Sequence, residues 1–399
     1  MSLSFLTLSH RQRWVLAAIS AALLTACQDS QPAAVPQPAV SQPATVAQTA
    51  PDYTISAIAA GLEHPWGMAW LPDGDLLITE RPGRLRRWDG TELRTVTGIP
   101  TVFNRGQGGL LDVAVHPQFA ENGWVYFTYA AGSRSANQTQ VARARLADDT
   151  LRDWQVIFTV APAKPGAQHF GSRLLWLPDD TLLVSIGDGG NPPIELDNQL
   201  IRLQAQRLDS DLGKVLRLQD DGSVPADNPA IDGQPPSAVW SYGHRNIQGL
   251  AYDVERQAIW ATEHGARGGD ELNQLRAGEN YGWPLVSHSR EYATGRPVSP
   301  VQSQPGMVDP QILWTPSMAP SGLAVYQGSL FPQWRGSLFA GALVDRDIKR
   351  LSVDAQGNVR EVGTIPIGER VRAVAQGPDE SLYVLTDERA GRLLKISPE

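Results

Sequence analysis

A unit of two apolar strands joined by a Pro/Asp/Gly turn recurs six times after Asp52, and only residues 198–212 suit a short helix. Repeats of a four-stranded blade close into a ring, so these two observations predict an all-β fold, a six-bladed β-propeller with four-stranded antiparallel blades. Composition agrees with that class. The 399 residues are 42% hydrophobic and 19% charged, with 37 glycines and 30 prolines, which supplies a core and excludes wholesale disorder, collagen and a multi-span membrane protein.

The six copies follow in order. They are WGMAWLPDGDLLITE from Trp66, GLLDVAVHPQFAENGWVYFTY from Gly109, SRLLWLPDDTLLVSIGD from Ser172, QGLAYDVERQAIWATEHG from Gln248, SGLAVYQGSLFPQWRGSLFAGAL from Ser321 and VRAVAQGPDESLYVLTDE from Val371. Turns such as Pro72-Asp73-Gly74 and Pro378-Asp379 pre-set tight reversals. The wider spacing between the third and fifth copies leaves 196–239 and 266–320 as expected insertions, and loops on a rigid scaffold commonly carry function. The early strand 53–59 is expected to pair with the last blade and close the ring. One domain, 52–399, follows.

The amino terminus reads as an address and a tether. Residues 1–26 place His10, Arg11 and Arg13 before a short apolar run from Trp14 to Leu24, the order of an export signal, and the run is too short for a stable span. It ends in Leu24-Thr25-Ala26-Cys27, which resembles the bacterial lipobox, so Cys27 is the expected lipidation site. Residues 27–51 then form a Pro/Ala/Gln-rich tether in which Asp29 is the one charge. The expected location is the bacterial cell envelope, lipid-anchored on the periplasmic face. Gln28 lacks the aspartate associated with inner-membrane retention, which points to the outer membrane. Cys27 is the chain's single cysteine, which excludes an intrachain disulfide framework and a cysteine-based zinc cluster. The net charge of -8, with no basic run, argues against nucleic acid as a partner.

Four segments interrupt the strand pattern with ionisable groups flanked by glycine: RGQGG at 105–109, QHFGSR at 168–173, YGHRN at 242–246 and TEHGARGGDELNQLRAGENYGWP at 262–284. Glycine beside a charged group lets the backbone approach a ligand. Each alone is also what a packing loop looks like, and the residues by themselves leave that alternative open.

Together GQGGLLDVA, HFGSRL, SYGHRNIQGLAY, TEHGARGGDELN, NYGWP and APSGLAVY resemble, in order, the segments of the soluble PQQ-dependent aldose sugar dehydrogenases, relatives of soluble glucose dehydrogenase. The likeness runs from about Tyr53 to the carboxyl end. It implies oxidation of the C1 hydroxyl of an aldose to the lactone, with pyrroloquinoline quinone (PQQ) as hydride acceptor, calcium as Lewis acid and a separate electron acceptor for reoxidation. By motif, His169 matches the general base, a role that suits an imidazole near neutral pH. Asp188 matches the acid that orients it, with a turn aspartate as the alternative. Arg245 and Asn246 match the pair that touches the cofactor, Arg245 also stabilising developing negative charge. Gln107 matches a cofactor-contacting amide, and Arg370 and Arg372, alternating on a strand, match a pair that binds cofactor carboxylates.

The resemblance further implies one calcium held by the carbonyls of Gly265 and Ala266 and a second, structural calcium on Glu271 and the carbonyl of Tyr281, oxygen ligands that suit a hard cation. His264 reads as shaping the loop or the cofactor floor, since it has no partner histidine at zinc spacing. One departure stands out: the family usually places a lysine against the cofactor where this chain has Val344, and Arg346, two residues on, is the expected substitute on the same strand face. Two other classes remain open at this point. They are a non-catalytic envelope propeller that binds a glycan or protein, and a calcium-dependent lactonase-type hydrolase.

Overall fold

The computed structural model describes residues 52–399, and the signal, the lipidation site Cys27 and the tether lie outside the described residues. Six four-stranded antiparallel sheets follow one another along the chain. Their first strands are Pro65–Trp70, Leu110–Val115, Leu174–Trp176, Ile247–Asp253, Pro320–Val325 and Val371–Gln376. The sixth sheet is completed by Tyr53–Leu62, which pairs antiparallel with Gly391–Pro398, so the two ends of the domain close the ring as expected.

The second strands show why the repeats read as continuous apolar runs instead of alternating ones. In Leu76–Glu80, Leu76 and Ile78 pack with Leu385 and Leu393 of the sixth blade, while Leu77 packs with Val113 and Phe127 of the second. Leu182 and Val184 of the third blade turn to the second, and Leu183 turns to the fourth. Successive side chains on a strand point to opposite faces, and both faces of each blade are covered by neighbours, so both sets must be apolar. Further clusters join Trp260 to Leu338 and Phe339 to Val384, so every blade shares a core with the next.

Near the axis the inner strands touch. Gly249 and Gly322, at the same position in QGLAY and SGLAV, lie so close to the next blade that a Cβ would sit 2.4 Å from the Ser321 carbonyl and 2.6 Å from Ala373 Cα. Hydroxyls tie the same seams: Thr128 donates to the Ser172 carbonyl at 2.7 Å and Thr262 to the Ser321 carbonyl at 2.7 Å. Each bridges from a second strand to the next blade's entry.

Two expectations need correction. The segments 196–239 and 266–320 are not simple insertions, because they contain blade strands: Lys214–Leu218 in the first, which ends where the strand Val239–Tyr242 begins, and Asp270–Leu275 and Ile312–Trp314 in the second. The helix expected at 198–212 is only a 3-10 turn, Ile201–Gln206. No helix among the described residues is long and apolar enough to cross a membrane.

Candidate functional site

In an antiparallel blade the start of the inner strand and the end of the second strand lie at the same rim. The segments entering inner strands carry Gln107, His169, Arg245, Asn246, Arg370 and Arg372, and those leaving second strands carry Arg81, Asp188, His264 and Asp387. Residues scattered from Arg81 to Asp387 therefore converge on one mouth of the ring.

A central cavity of about 210 Å³ opens there, lined among others by Gln107, Asn246, His264, Arg370 and Arg372. Arg81 and Asp387, which lie just after the ends of second strands and outside the glycine-flanked segments, also line it. Arg372 donates to Asp387 at 2.5 Å and to the Gln248 side chain at 3.0 Å, and Arg370 donates to the Leu343 carbonyl at 3.1 Å. Burial raises the Asp387 carboxyl, but Arg372, with help from His64 and Arg81, wins and holds it well below the usual range. His264 Nε2 lies 2.7 Å from the Pro320 carbonyl, so that nitrogen carries the proton; burial and then Arg245 and Arg372 push the imidazole down to about 3. It is a neutral wall of the cavity.

His169 and Asp188 stand beside this cavity as a buried pair. Nδ1 of His169 is 2.6 Å from Asp188 Oδ1, and the same carboxylate accepts from the Trp283 indole at 2.7 Å and the Gly190 amide at 3.0 Å. An acid receiving donors on both oxygens is an acceptor toward His169 as well, so Nδ1 is the protonated nitrogen and Nε2 keeps its lone pair. The Nε2 side is nearly free, with Asn191 Nδ2 at a long 3.4 Å. Burial, then the Arg245 charge, lower the His169 pKa against the pull of Asp188, which keeps the imidazole neutral at ordinary pH. His169 is held with a left-handed φ of 48°, an uncommon state for a non-glycine residue, and its amide is tied to the Gln107 side chain at 2.7 Å. Asn246 holds the Gly171 amide at 3.1 Å.

Arg245 reaches the His264 carbonyl at 3.0 Å and Asn191 at 2.7 Å, and its guanidinium lies 5.4 Å from the Trp283 ring centroid. Trp283 lies in NYGWP and Asn191 follows the GDGG turn; their contacts with Asp188 and Arg245 complete the site.

A second, small cavity of about 10 Å³ lies behind Arg245 and is lined by Glu263, Gly265, Glu271 and Tyr281. Glu271 is not in a loop as expected but on the strand Asp270–Leu275, opposite Glu263. Burial and then the Glu263 charge push Glu271 up to about 8, and its one side-chain donor is Asn273 at 3.1 Å. Glu263 is already held by the His244 ring at 3.1 Å and by the amides of Arg245 and Asn246, so Glu271, with its single side-chain donor, is the carboxylate that suits a hard cation. No cluster of three His, Cys, Asp or Glu side chains stands at metal spacing among the described residues, so a cation here would draw on carbonyls as well. Ala266, next to Gly265, lines a different, shallow pocket with Val344.

Arg346 is a correction. It sits with Val344 in the turn after Leu338–Ala342, exposed and with a left-handed φ of 60°, not on a strand face, and neither residue lines the central cavity. Val344 is 56% exposed. The cavity cation the sequence did not find is Arg81.

The cofactor implied by the motifs carries three carboxylates, and the residues present suit such a group. Arg81, Arg370 and Arg372 line one cavity against one acid, Asp387. The Nε atoms of Arg81, Arg245 and Arg372 are buried without a hydrogen-bond partner, donors that an anionic ligand would satisfy.

Residues 62–395 match the family model described as Glucose / Sorbosone dehydrogenase. The chain is 58% identical over 357 residues to the protein slr1608 of Synechocystis, covering 87% of each chain. It is 41% identical to the aldose sugar dehydrogenase YliI of Escherichia coli, covering 84% of this chain and 91% of that one. Among solved structures it superposes on the PQQ-bound form of aldose sugar dehydrogenase from Streptomyces coelicolor with a TM-score of 0.69 at 28% identity, covering 87% of this chain and 100% of the other.

Proposed function

Because the chain belongs to the glucose/sorbosone dehydrogenase family and is an oxidoreductase of the sugar dehydrogenase type, we propose that it oxidises the C1 hydroxyl of aldoses to the lactone, with PQQ and calcium as cofactors. The observation that carries this reading is the buried His169–Asp188 pair, its Nδ1 held by the carboxylate and its Nε2 met only by Asn191 at 3.4 Å, with the next two residues, Phe170 and Gly171, lining the arginine-rich cavity.

Bound PQQ supplies a quinone that accepts the C1 hydride, and calcium supplies a Lewis acid for a quinone oxygen. The chain does the rest. His169 Nε2 takes the proton of the C1 hydroxyl as the C1–H bond breaks and the carbonyl forms. Asp188 fixes the ring and offsets the imidazolium charge that appears. Trp283 and the Gly190 amide hold Asp188 in place. Arg81, Arg370 and Arg372 would grip the cofactor carboxylates, Gln107 and Asn246 would border it, and Arg245 would stabilise negative charge developing on it. Gly265 and Ala266 would hold the catalytic calcium through carbonyls, and Glu271 with the Tyr281 carbonyl the structural one.

An export signal and lipidation at Cys27 would place this chemistry on the periplasmic face of the envelope, where a separate electron acceptor closes the cycle. The departure that most favours a non-catalytic propeller, valine in place of the family's lysine, loses weight because Val344 lies outside the cavity and Arg81 lines it. The test is His169→Gln: it should bind PQQ as the wild type does and lose about 10²–10⁴-fold in turnover. Unchanged turnover overturns the assignment of the base.

A further inference from the structure

Lys164 is 1% exposed, and neither the motifs nor the proposed chemistry uses it. Its ammonium makes a single hydrogen bond, to the Gln168 carbonyl at 2.8 Å, and lies 4.0 Å from the centroid of the Phe170 ring. Those two residues flank His169. The lysine's own backbone is pinned, its amide and carbonyl both paired with Asn137. Its stem passes the GDGG turn so closely that a Cβ on Gly189 would sit 3.2 Å from Cδ. Lys214, the other fully buried lysine of the described residues, spends its ammonium on three carbonyls, those of Gln204, Ala205 and Leu212. Lys164 has one, plus a ring face and the field of Asp188.

A buried ammonium with so few partners is not a packing convenience, because burying a charge without full hydrogen bonding is unfavourable. We propose that Lys164 is a positioning residue for the His169–Asp188 pair, pinning the segment on both sides of the base and adding a positive charge, second to that of Arg245, near its imidazole. The inference rests on His169 acting as the base.

The charges facing the imidazole are few. Asp188 favours its protonated form; Arg245 and Lys164 disfavour it; His264, neutral, packs from the fourth blade. Toward Lys164 itself the one charged group that acts is Asp188, and burial brings the ammonium down to about 7. Its charge is therefore present on the acid side of neutrality, where it opposes protonation of His169, and fades above neutrality, where His169 is already neutral.

Two substitutions separate holding from charge. Lys164→Gln keeps a donor for the Gln168 carbonyl and removes the charge; Lys164→Met removes both. In cofactor-free protein with isotope-labelled histidine, assigned through His169→Gln, the His169 imidazole should titrate about half a unit or more higher in Lys164→Gln than in the wild type. In PQQ- and calcium-loaded enzyme, the acid limb of kcat/KM should move up by the same amount while the kcat plateau stays within about threefold. Lys164→Met should show the same limb and lose about tenfold in kcat besides. A merely structural lysine would lower Tm and leave both titrations where they were, and that result overturns the proposal. Should the variants not fold, the wild type still decides: the His169 resonance must show a second inflection near the Lys164 midpoint, and its absence overturns the proposal. Absence of aldose turnover by loaded wild type would instead sink the dehydrogenase reading, and the cofactor-free titration keeps the two failures apart.

Discussion

Arg372 and Asp387 form a buried ion pair at 2.5 Å inside the central cavity, and Asp387 is the one acid among its lining residues. The pair presets the position of a cofactor-facing guanidinium while leaving its Nε unpartnered. Asp387→Asn leaves Arg372 buried without its counter-charge and should cost about 3–5 kcal/mol in urea denaturation at pH 7. The pH dependence follows from the depressed carboxyl. Its contribution is present above the unfolded pKa of about 4 and is lost as pH falls from there toward the lower folded value. The wild-type stability curve should therefore drop on acidification through that window, and the variant's curve should be flatter there.

Asp188 has two jobs, orienting His169 and accepting from Trp283, and they come apart by mutation. Asp188→Asn presents the wrong hydrogen-bonding partner to Nδ1 and should lower kcat about 10²–10⁴-fold with little change in PQQ affinity. Trp283→Phe removes one donor from the far oxygen and should cost about tenfold in kcat, read in the same steady-state assay.

Arg81, Arg370 and Arg372 line the cavity, and Arg346 does not. Arg81→Ala, Arg370→Ala and Arg372→Ala should each weaken PQQ binding about tenfold or more, followed by quenching of protein fluorescence. Arg346→Ala should leave binding unchanged within about twofold, because Arg346 sits in an exposed turn.

Glu271 and Glu263 face one small cavity, and calcium there would stabilise the folded protein by mass action, about 2.7 kcal/mol at a hundredfold excess over Kd. Thermal unfolding should show Tm rising with calcium in the wild type. Glu271→Gln should flatten that rise and leave the metal-free protein folded.

The ring was legible because each blade announces itself twice, through an apolar run and a turn of Pro, Asp and Gly. What the pattern hid were strands buried by polar means. Lys214 sits in the core of the third blade only because three carbonyls cap its ammonium. Asp270 is buried at the start of its strand because the Gly265 amide, Ser317 and the Ala319 amide all donate to it. Such partners come from distant loops, so KVLRL and DELNQL read as insertions until the fold is known.

The site divides the same way. His169, Asp188, Gln107 and Asn246 lie in glycine-flanked motifs and Arg370 and Arg372 alternate in ERVRA, patterns that are local, and the ring brings them to one mouth. Arg81, Asp387, Asn191 and Lys164 act through contacts made across blades or from loops with no such pattern. Arg346 departs from the expected strand face because the chain turns there, and a left-handed residue breaks the alternation.

The central claim is tested most directly by titrating the purified, cofactor-free protein with PQQ in millimolar calcium, following the quinone absorbance, and then adding a panel of aldoses. The account predicts stoichiometric binding and reduction of the bound quinone on sugar addition, with lactone as the product. Folded, calcium-loaded protein that fails to bind PQQ, or binds it and leaves it oxidised with every aldose, would contradict it.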